Sequence, residues 1–173
     1  MRRRDPLANP EQLIRRVYAY VAYRIGEGAD AEDVTSETFA RALRYRDSFD
    51  SSKGEALAWL IGIARRCIAA HMADRELPTD EVPERPAPGD LAGDAVRRLE
   101  LARATATLDA RDRELVALRY GADLTAKQIA DLLGLRVNTV EVALHRVLRR
   151  LREVLEERPA SEPAPGRPRL LET

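Results

Sequence analysis

Residues 125–152 read as two short helices separated by a glycine, and this run constrains the fold more than any other part of the chain. Thr125 can accept a hydrogen bond from the backbone N–H near Gln128, so a capping box is expected to start the first helix. Gly134 ends that helix, and Asn138 is expected to cap the second. Apolar residues recur at helical spacing in both: Ile129, Leu132, Leu133, then Val140, Leu144, Val147, Leu148, Leu151. The other face of the second helix is basic: His145, Arg146, Arg149, Arg150, Arg152. This pattern predicts a helix-turn-helix.

An arginine-rich helix face is, by itself, more often a solvated face than a ligand-binding one. The capped support helix, the glycine turn and the basic second helix together are more specific. They favour an interpretation in which the second helix enters a DNA major groove.

The composition is that of a soluble, helix-rich protein. With 173 residues, 45% hydrophobic and 34% charged, the chain can form two small domains. We find no apolar run approaching the roughly 18 to 20 residues that span a bilayer, and no secretory signal, so a cytoplasmic protein without membrane insertion is expected. Cys67 is the single cysteine, which excludes an internal disulfide. Cys67 and His71 lie one helical turn apart, but two ligands are too few for a closed zinc site, so no metal or cofactor is predicted.

Charge is distributed unevenly although the formal net charge is zero. Residues 74–94 contain seven acidic and two basic residues, and prolines and glycines in this stretch are spaced too closely for a helix. Residues 96–153 contain twelve basic and eight acidic residues. The sequence therefore predicts a basic C-terminal module joined to an N-terminal one by a flexible acidic linker.

Three helices are predicted in the N-terminal module: Pro10 to Ile25, a second opening at Asp30, and a third from about Glu55 to Glu76. Their expected inward residues are Leu13, Ile14, Val17, Val21, Ile25, then Val34, Phe39, Ala42, Leu43, then Leu57, Leu60, Ile61, Ala64, Ile68 and Met72. Acidic residues crowd the start of the second helix, where the helix dipole alone could account for them.

These residues carry a family resemblance. DAEDVTSETFARAL followed by AWLIGIARRCIAAHMADR resembles region two of an extracytoplasmic-function (ECF) sigma factor of bacterial RNA polymerase, and ATLDARDRELVALRYGADLTAKQIADLLGLRVNTVEVALHRVLRRLRE resembles region four. The two occur in the family's order and cover nearly everything from Gln12 to Glu156.

The resemblance implies partners and contact residues. Bacterial core RNA polymerase would be contacted by the second helix, through Asp30, Glu32, Asp33, Ser36 and Glu37. Promoter DNA would be contacted at the minus-ten element by Arg65, Arg66, His71 and Arg75. At the minus-thirty-five element the contacts would be Thr125, Asn138, Thr139, Glu141, Val142, His145, Arg146, Arg149 and Arg150. An anti-sigma factor is a further partner that such factors often have.

Among the minus-thirty-five residues, base edges are assigned by chemistry. Glu141 can accept from cytosine N4, and Val142 can touch a thymine methyl. His145 and Arg146 are expected at bases, whereas Arg149 and Arg150 suit phosphates.

We therefore expect an all-α protein of two small helical domains joined by a flexible acidic linker. The region-two-like domain would occupy residues 1–76, the linker 77–95, the helix-turn-helix domain 96–158 and a disordered Pro-rich tail 159–173. The expected function is promoter recognition and transcription initiation with core polymerase. The alternative is a stand-alone helix-turn-helix regulator that binds DNA without polymerase. No phosphate loop or nucleophile-base signature indicates an enzyme.

Overall fold

The computed structural model describes residues 5–76, 105 and 107–156. Its regular elements are all helical in these ranges. The linker predicted at 77–95 and the tail predicted at 159–173 lie outside the described residues. The helices are α1 (Pro10–Ile25), α2 (Ala29–Arg44), a 3-10 turn (Arg46–Ser48), α3 (Ala56–Glu76), α4 (Ala110–Val116), a π-helical turn (Ala117–Gly121), α5 (Ala126–Leu133) and α6 (Val137–Glu156). All-α architecture is thus confirmed.

Helices α1, α2 and α3 pack pairwise against one another and form the N-terminal module. The two ends of α1 are marked in the sequence: Pro10 is its first residue, and Gly26, with φ of 95°, follows its last. The core of this module contains Val17, Val21 and Ile61, all fully buried. In the C-terminal module α6 packs against α4 and α5.

Three of the predicted inward residues are exposed instead: Ile14, Leu43 and Met72. Leu43 follows the buried Ala42, and the helical period turns it away from the core. Met72 lies beyond Ile68, the last buried residue of α3 in the described part of the chain. The prediction for these three residues is wrong because an apolar side chain at a helix edge satisfies the same periodicity as one in the core.

The segment Ala56–Arg75 of α3 has the length and the mean hydropathy, 1.3, of a membrane span, but one such helix is weak evidence for a span. The core helix of a soluble protein passes the same test. Here Leu60, Ile61, Ala64 and Ile68 are buried between the helices of the module. The apolar character of α3 is accounted for by this packing.

The two modules pack against each other and share one hydrophobic core. Helix α1 contacts the π-helical turn and α4, and α3 contacts α5. Val17 and Tyr20 of α1 belong to the same buried cluster as Leu115 and Leu118 of the C-terminal module. Among the described residues, the chain is therefore in a closed arrangement.

Candidate nucleic-acid interface

The helix-turn-helix forms as its sequence predicts at the first helix. Thr125 caps α5: its Oγ1 accepts from the backbone N–H of Gln128 at 3.2 Å, and the Gln128 side chain accepts from the Thr125 N–H at 2.8 Å. Gly134 ends α5 with φ of 66°, a left-handed conformation in which glycine has no Cβ penalty. Thr125 was predicted to contact DNA, and the structure uses its hydroxyl in the cap.

The start of α6 differs from the prediction. The helix begins at Val137, so Asn138 is its second residue and not its N-cap. The N–H of Val140 donates to the carbonyl of Arg136 at 3.2 Å, and the helix therefore starts two residues earlier than a cap at Asn138 would place it. Asn138 is exposed in the first turn of the helix.

The outward face of α6 is formed by Asn138, Glu141, Val142, His145 and Arg149, which are all exposed and recur at helical spacing. Thr139 is exposed beside them. On the opposite side Val140, Leu144, Val147 and Leu151 are buried, as predicted, and Leu148 is half-buried. The structure thus brings six of the predicted minus-thirty-five residues together on an accessible surface of one helix.

Arg146 and Arg150 lie on the flank of this face, and both reach the same carboxylate. Nη1 of Arg150 donates to Oδ2 of Asp112 at 2.9 Å. Nη2 of Arg146 lies 3.8 Å from Oδ1 of the same residue. The Asp112 side chain is only 4% exposed, whereas the two arginines are about half exposed. The base contact assigned to Arg146 therefore does not follow from its position.

The four predicted minus-ten residues of α3 do not share one partner or one surface. Arg66 is exposed, and its Nε donates to the carbonyl of Gly62 at 3.3 Å within the helix. Arg75 forms an ion pair with Asp30, and Nε2 of His71 lies 3.8 Å from the same carboxylate. The C-terminal part of α3, which carries His71 and Arg75, is thus joined to the start of α2.

The predicted polymerase contacts of α2 are more accessible. Glu32, Asp33, Ser36 and Glu37 are all exposed. Glu37 accepts from Arg41 one turn later in the helix, and this hydrogen bond raises the pKa of the Arg41 guanidinium. Asp30 is the exception, because its carboxylate is already paired with α3. Four of the five residues named from the sequence are therefore accessible, and three of them are acids.

Arg65, the remaining α3 residue, meets Glu114 of α4, and Glu114 is the centre of a polar contact between the modules. The Tyr20 hydroxyl donates to Oε1 of Glu114 at 2.8 Å, Nε of Arg65 lies 3.1 Å from the same oxygen, and Arg24 pairs with Oε2. The Glu114 and Arg24 side chains are 12% and 16% exposed. Burial raises the pKa of Tyr20, which therefore stays protonated and able to donate. We call these four residues the Glu114 cluster.

The backbone strengthens the same interface. Arg16 of α1 donates to the carbonyls of Ala122 and Asp123, each at 2.8 Å. Gly121 packs so closely on α1 that a Cβ there would lie 2.8 Å from Cα of Tyr20. On the far side, Nε2 of Gln128 donates to Oε2 of Glu55 at 2.9 Å. Side chains and backbone together hold the modules in one orientation.

The sequence did not predict this interface, its central acid Glu114, or Asp112, which pairs with α6 within the C-terminal module. Both acids lie in a segment rich in charges of both signs, where no single charge stands out. Two signals were available. Tyr20, a large amphipathic residue, lies between Arg16 and Arg24 at helical spacing on α1. Gly121 follows a helical segment but is not part of a recognisable turn motif.

Two family models match the chain. Sigma-70 region 2 matches residues 11–76, and Sigma-70 region 4 matches residues 98–151. Among named relatives, the ECF RNA polymerase sigma factor SigL of Mycobacterium tuberculosis is 33% identical over 148 residues, which cover 82% of this chain and 83% of SigL. The ECF RNA polymerase sigma factor BldN of Streptomyces coelicolor is 31% identical over 155 residues. That match covers 85% of this chain and 59% of BldN, so the chain spans about three fifths of the length of that relative.

Two solved structures share the fold. The sigma factor RpoE in complex with the anti-sigma factor NepR from Bartonella quintana has a TM-score of 0.64 at 23% identity, over 84% of this chain and 92% of that one. CnrH in complex with the cytosolic domain of CnrY has a TM-score of 0.59 at 23% identity, over 85% of this chain and 82% of that one. At this identity the likeness concerns the fold alone.

Proposed function

The chain belongs to the extracytoplasmic-function family of RNA polymerase sigma factors, and we propose that, as such a factor, it binds bacterial core RNA polymerase and directs it to specific promoters to initiate transcription. The observation that carries this proposal is the pairing, in one chain, of an accessible acidic helix, α2, with a helix-turn-helix whose outward face is exposed. The first supplies a polymerase surface and the second a DNA surface. As in the sequence prediction, we assign residues 1–76 and 96–158 to the two domains, 77–95 to the linker and 159–173 to the tail.

On α2, the exposed residues Glu32, Asp33, Ser36 and Glu37 form the proposed polymerase contact. Three carboxylates on one exposed surface attract a basic partner and accelerate the encounter more than they strengthen the final complex. Asp30 would contribute only after Arg75 releases it, since the two are paired in the closed arrangement.

DNA binding is divided between the modules. Helix α3 would approach the minus-ten element through Arg65, Arg66, His71 and Arg75, and α6 would read the minus-thirty-five element. In the closed arrangement Arg65 is engaged by Glu114, so the modules have to separate before Arg65 can reach DNA. Polymerase binding is the event that supplies the free energy for this separation, by favouring the open form over the closed one.

We further propose a soluble, cytoplasmic factor with no catalytic centre and no cofactor of its own, because the chemistry of transcription resides in the polymerase. An anti-sigma factor is a proposed partner. The support is that the solved structure of RpoE, which has the same fold, is a complex with an anti-sigma factor. A protein that favours the closed arrangement would inhibit by keeping Arg65 on Glu114.

The test is a pull-down of core RNA polymerase with the full-length chain, followed by run-off transcription from a promoter library. We expect a stable complex with core enzyme and weak binding of the chain alone to any duplex. Reversing two charges, with Asp33→Arg and Glu37→Arg, should weaken the complex by at least about tenfold. Glu11→Arg is the matched control, because Glu11 is an exposed acid of the same module whose partner, Arg15, lies on its own helix.

Two results would contradict the proposal. Sequence-specific DNA binding that is equally tight with and without polymerase would favour a stand-alone regulator. An unchanged complex in the double charge reversal, with helicity intact by circular dichroism, would show that α2 does not contact the polymerase.

A further inference from the structure

Asp112 of α4 occupies a position between two arginines of the recognition helix. Arg146 and Arg150 are one helical turn apart on α6, so a single carboxylate can reach both, one oxygen to each. Asp112 is itself fixed: its backbone N–H donates to the side chain of Asp109, the N-cap of α4, at 2.8 Å. A buried acid, whose backbone is fixed by the cap of α4, thus contacts two half-exposed arginines of α6.

The helix dipole at the first turn of α4 accounts for an acid at position 112, but not for its burial against two arginines. Taking a carboxylate out of water costs free energy that its ion pairs commonly only offset, and an apolar residue of similar size would pack α4 on α6 at least as well. What Asp112 does supply is orientation. Arginine side chains have many rotamers, and a fixed partner removes most of that freedom before a ligand arrives.

The orientation has a consequence for DNA reading. Arg146 and Arg150 are held on the flank of α6, whereas Glu141, Val142, His145 and Arg149 occupy its outward face. When a recognition helix lies in a major groove, its outward face meets base edges and its flanks pass the phosphates of the groove wall. The two arginines held by Asp112 are therefore placed for phosphates.

We propose that Asp112 is a positioning residue that presents Arg146 and Arg150 as a preformed pair to backbone phosphates of the minus-thirty-five element. This rests on the proposed function. Base selection then belongs to the outward face of α6, and Arg146, which the sequence assigned to a base, acts through the sugar-phosphate backbone. The pair and its acid carry a net charge of one positive, so the phosphate contacts fix register without adding the full affinity of two unpaired arginines.

The test uses the full chain bound to core RNA polymerase. A minus-thirty-five duplex is selected from a randomised library by the wild-type complex, and binding of this duplex and of a scrambled one is measured by fluorescence anisotropy. The variant is Asp112→Asn, which keeps the shape and one acceptor oxygen but removes the charge. The matched control is Glu156→Gln, because Glu156 is an exposed acid of the same helix that lies at its C-terminal end, away from the residues assigned to DNA.

In Asp112→Asn, affinity for the scrambled duplex should rise, because one negative charge near the phosphates is gone. Affinity for the selected duplex should not rise with it. The ratio of the two affinities is expected to fall by about tenfold, the effect of roughly one misplaced contact. Glu156→Gln should leave the ratio unchanged. In an Arg146→Ala, Arg150→Ala background the effect of Asp112→Asn on the ratio should shrink to less than about twofold, because its proposed route is absent.

An unchanged ratio overturns the inference in either of two ways. If both affinities rise together, Asp112 only reduces the positive charge of α6. If both fall together, it only stabilises the packing of α4 on α6. Persistence of the Asp112→Asn effect after both arginines are removed would also overturn it. If the wild-type complex selects no duplex at all, the proposed function fails, and this result is distinct from the others.

Discussion

Glu114→Gln should open the closed arrangement of the two modules. The substitution keeps the side-chain shape but removes the charge that Arg24 and Arg65 face. Removing one partner from a buried ion pair costs about 3 to 5 kcal/mol, because the other charge stays buried. Arg24 is 16% exposed and bears most of this cost, whereas Arg65 is 40% exposed and is screened by water. We therefore expect the lower value, about 3 kcal/mol, which changes the ratio of closed to open forms by roughly a hundredfold.

The assay is energy transfer between dyes on cysteines introduced at Ser51 and Lys127, two exposed positions. These positions flank the contact between Glu55 and Gln128, so the closed form brings the dyes close together. Cys67 is buried and is left unchanged. Transfer is followed against urea, and the midpoint together with the slope of the transition gives the free energy of module separation.

Trp59 provides an independent signal from inside the N-terminal module, where its ring lies 5.4 Å from that of Phe49. In Glu114→Gln, energy transfer should be lost at lower urea than the change in Trp59 fluorescence, because the modules separate before α3 unfolds. Glu153→Gln is the control and should behave as wild type. Equal energy-transfer midpoints in the two variants would refute the reasoning, since Glu114 would then contribute no more than a surface acid.

Three smaller predictions follow from the same interface and from the cap of α4. Gly121→Ala should lower the thermal midpoint and favour the open form, because its Cβ would lie 2.8 Å from backbone of Tyr20 and α1 would have to move. Tyr20→Phe removes the hydrogen bond to Glu114 and should cost about 1.5 to 3 kcal/mol of unfolding free energy, measured by urea denaturation. The backbone hydrogen bond that Asp109 accepts lowers the pKa of its carboxyl, so its stabilisation of α4 is present above the ordinary aspartate pKa and is lost as pH falls through the lowered value. The protection factors of the α4 amides, which correct for the pH dependence of intrinsic exchange, should fall over that acidic range in wild type and stay constant in Asp109→Asn, which keeps a capping side chain.

The helix-turn-helix was predictable because each of its signals is local. The capping box joins Thr125 to Gln128, three positions later, and the N–H of Gly134 donates to the carbonyl of Ala130, four positions earlier. The apolar face of α6 follows from the helical period alone. The error at Asn138 has the same origin: Asn138 is a good capping residue, but the helix starts one residue before it, at Val137.

The Glu114 cluster could not be predicted for the opposite reason. Tyr20 and Glu114 are 94 positions apart in the chain, and no local pattern relates them. Periodicity shows that a position faces a neighbour, but it does not show which element that neighbour belongs to. This is also why Arg65 and Arg146 were assigned to DNA as if each were available: their acidic partners lie on other helices.

The formal net charge of the chain is zero, and part of that balance consists of ion pairs between its own residues. Arg65 pairs with Glu114, Arg75 with Asp30, and Arg146 and Arg150 with Asp112. Several of the basic residues proposed to meet DNA are thus matched by an acid of the same chain. A phosphate has to compete with a carboxylate at Arg65 and Arg75, and Asp112 offsets part of the charge of Arg146 and Arg150, so we expect the affinity of the chain alone for DNA to be low. On the proposed function, strong binding requires an event that exchanges the partners, and separation of the modules on the polymerase would accomplish this for Arg65.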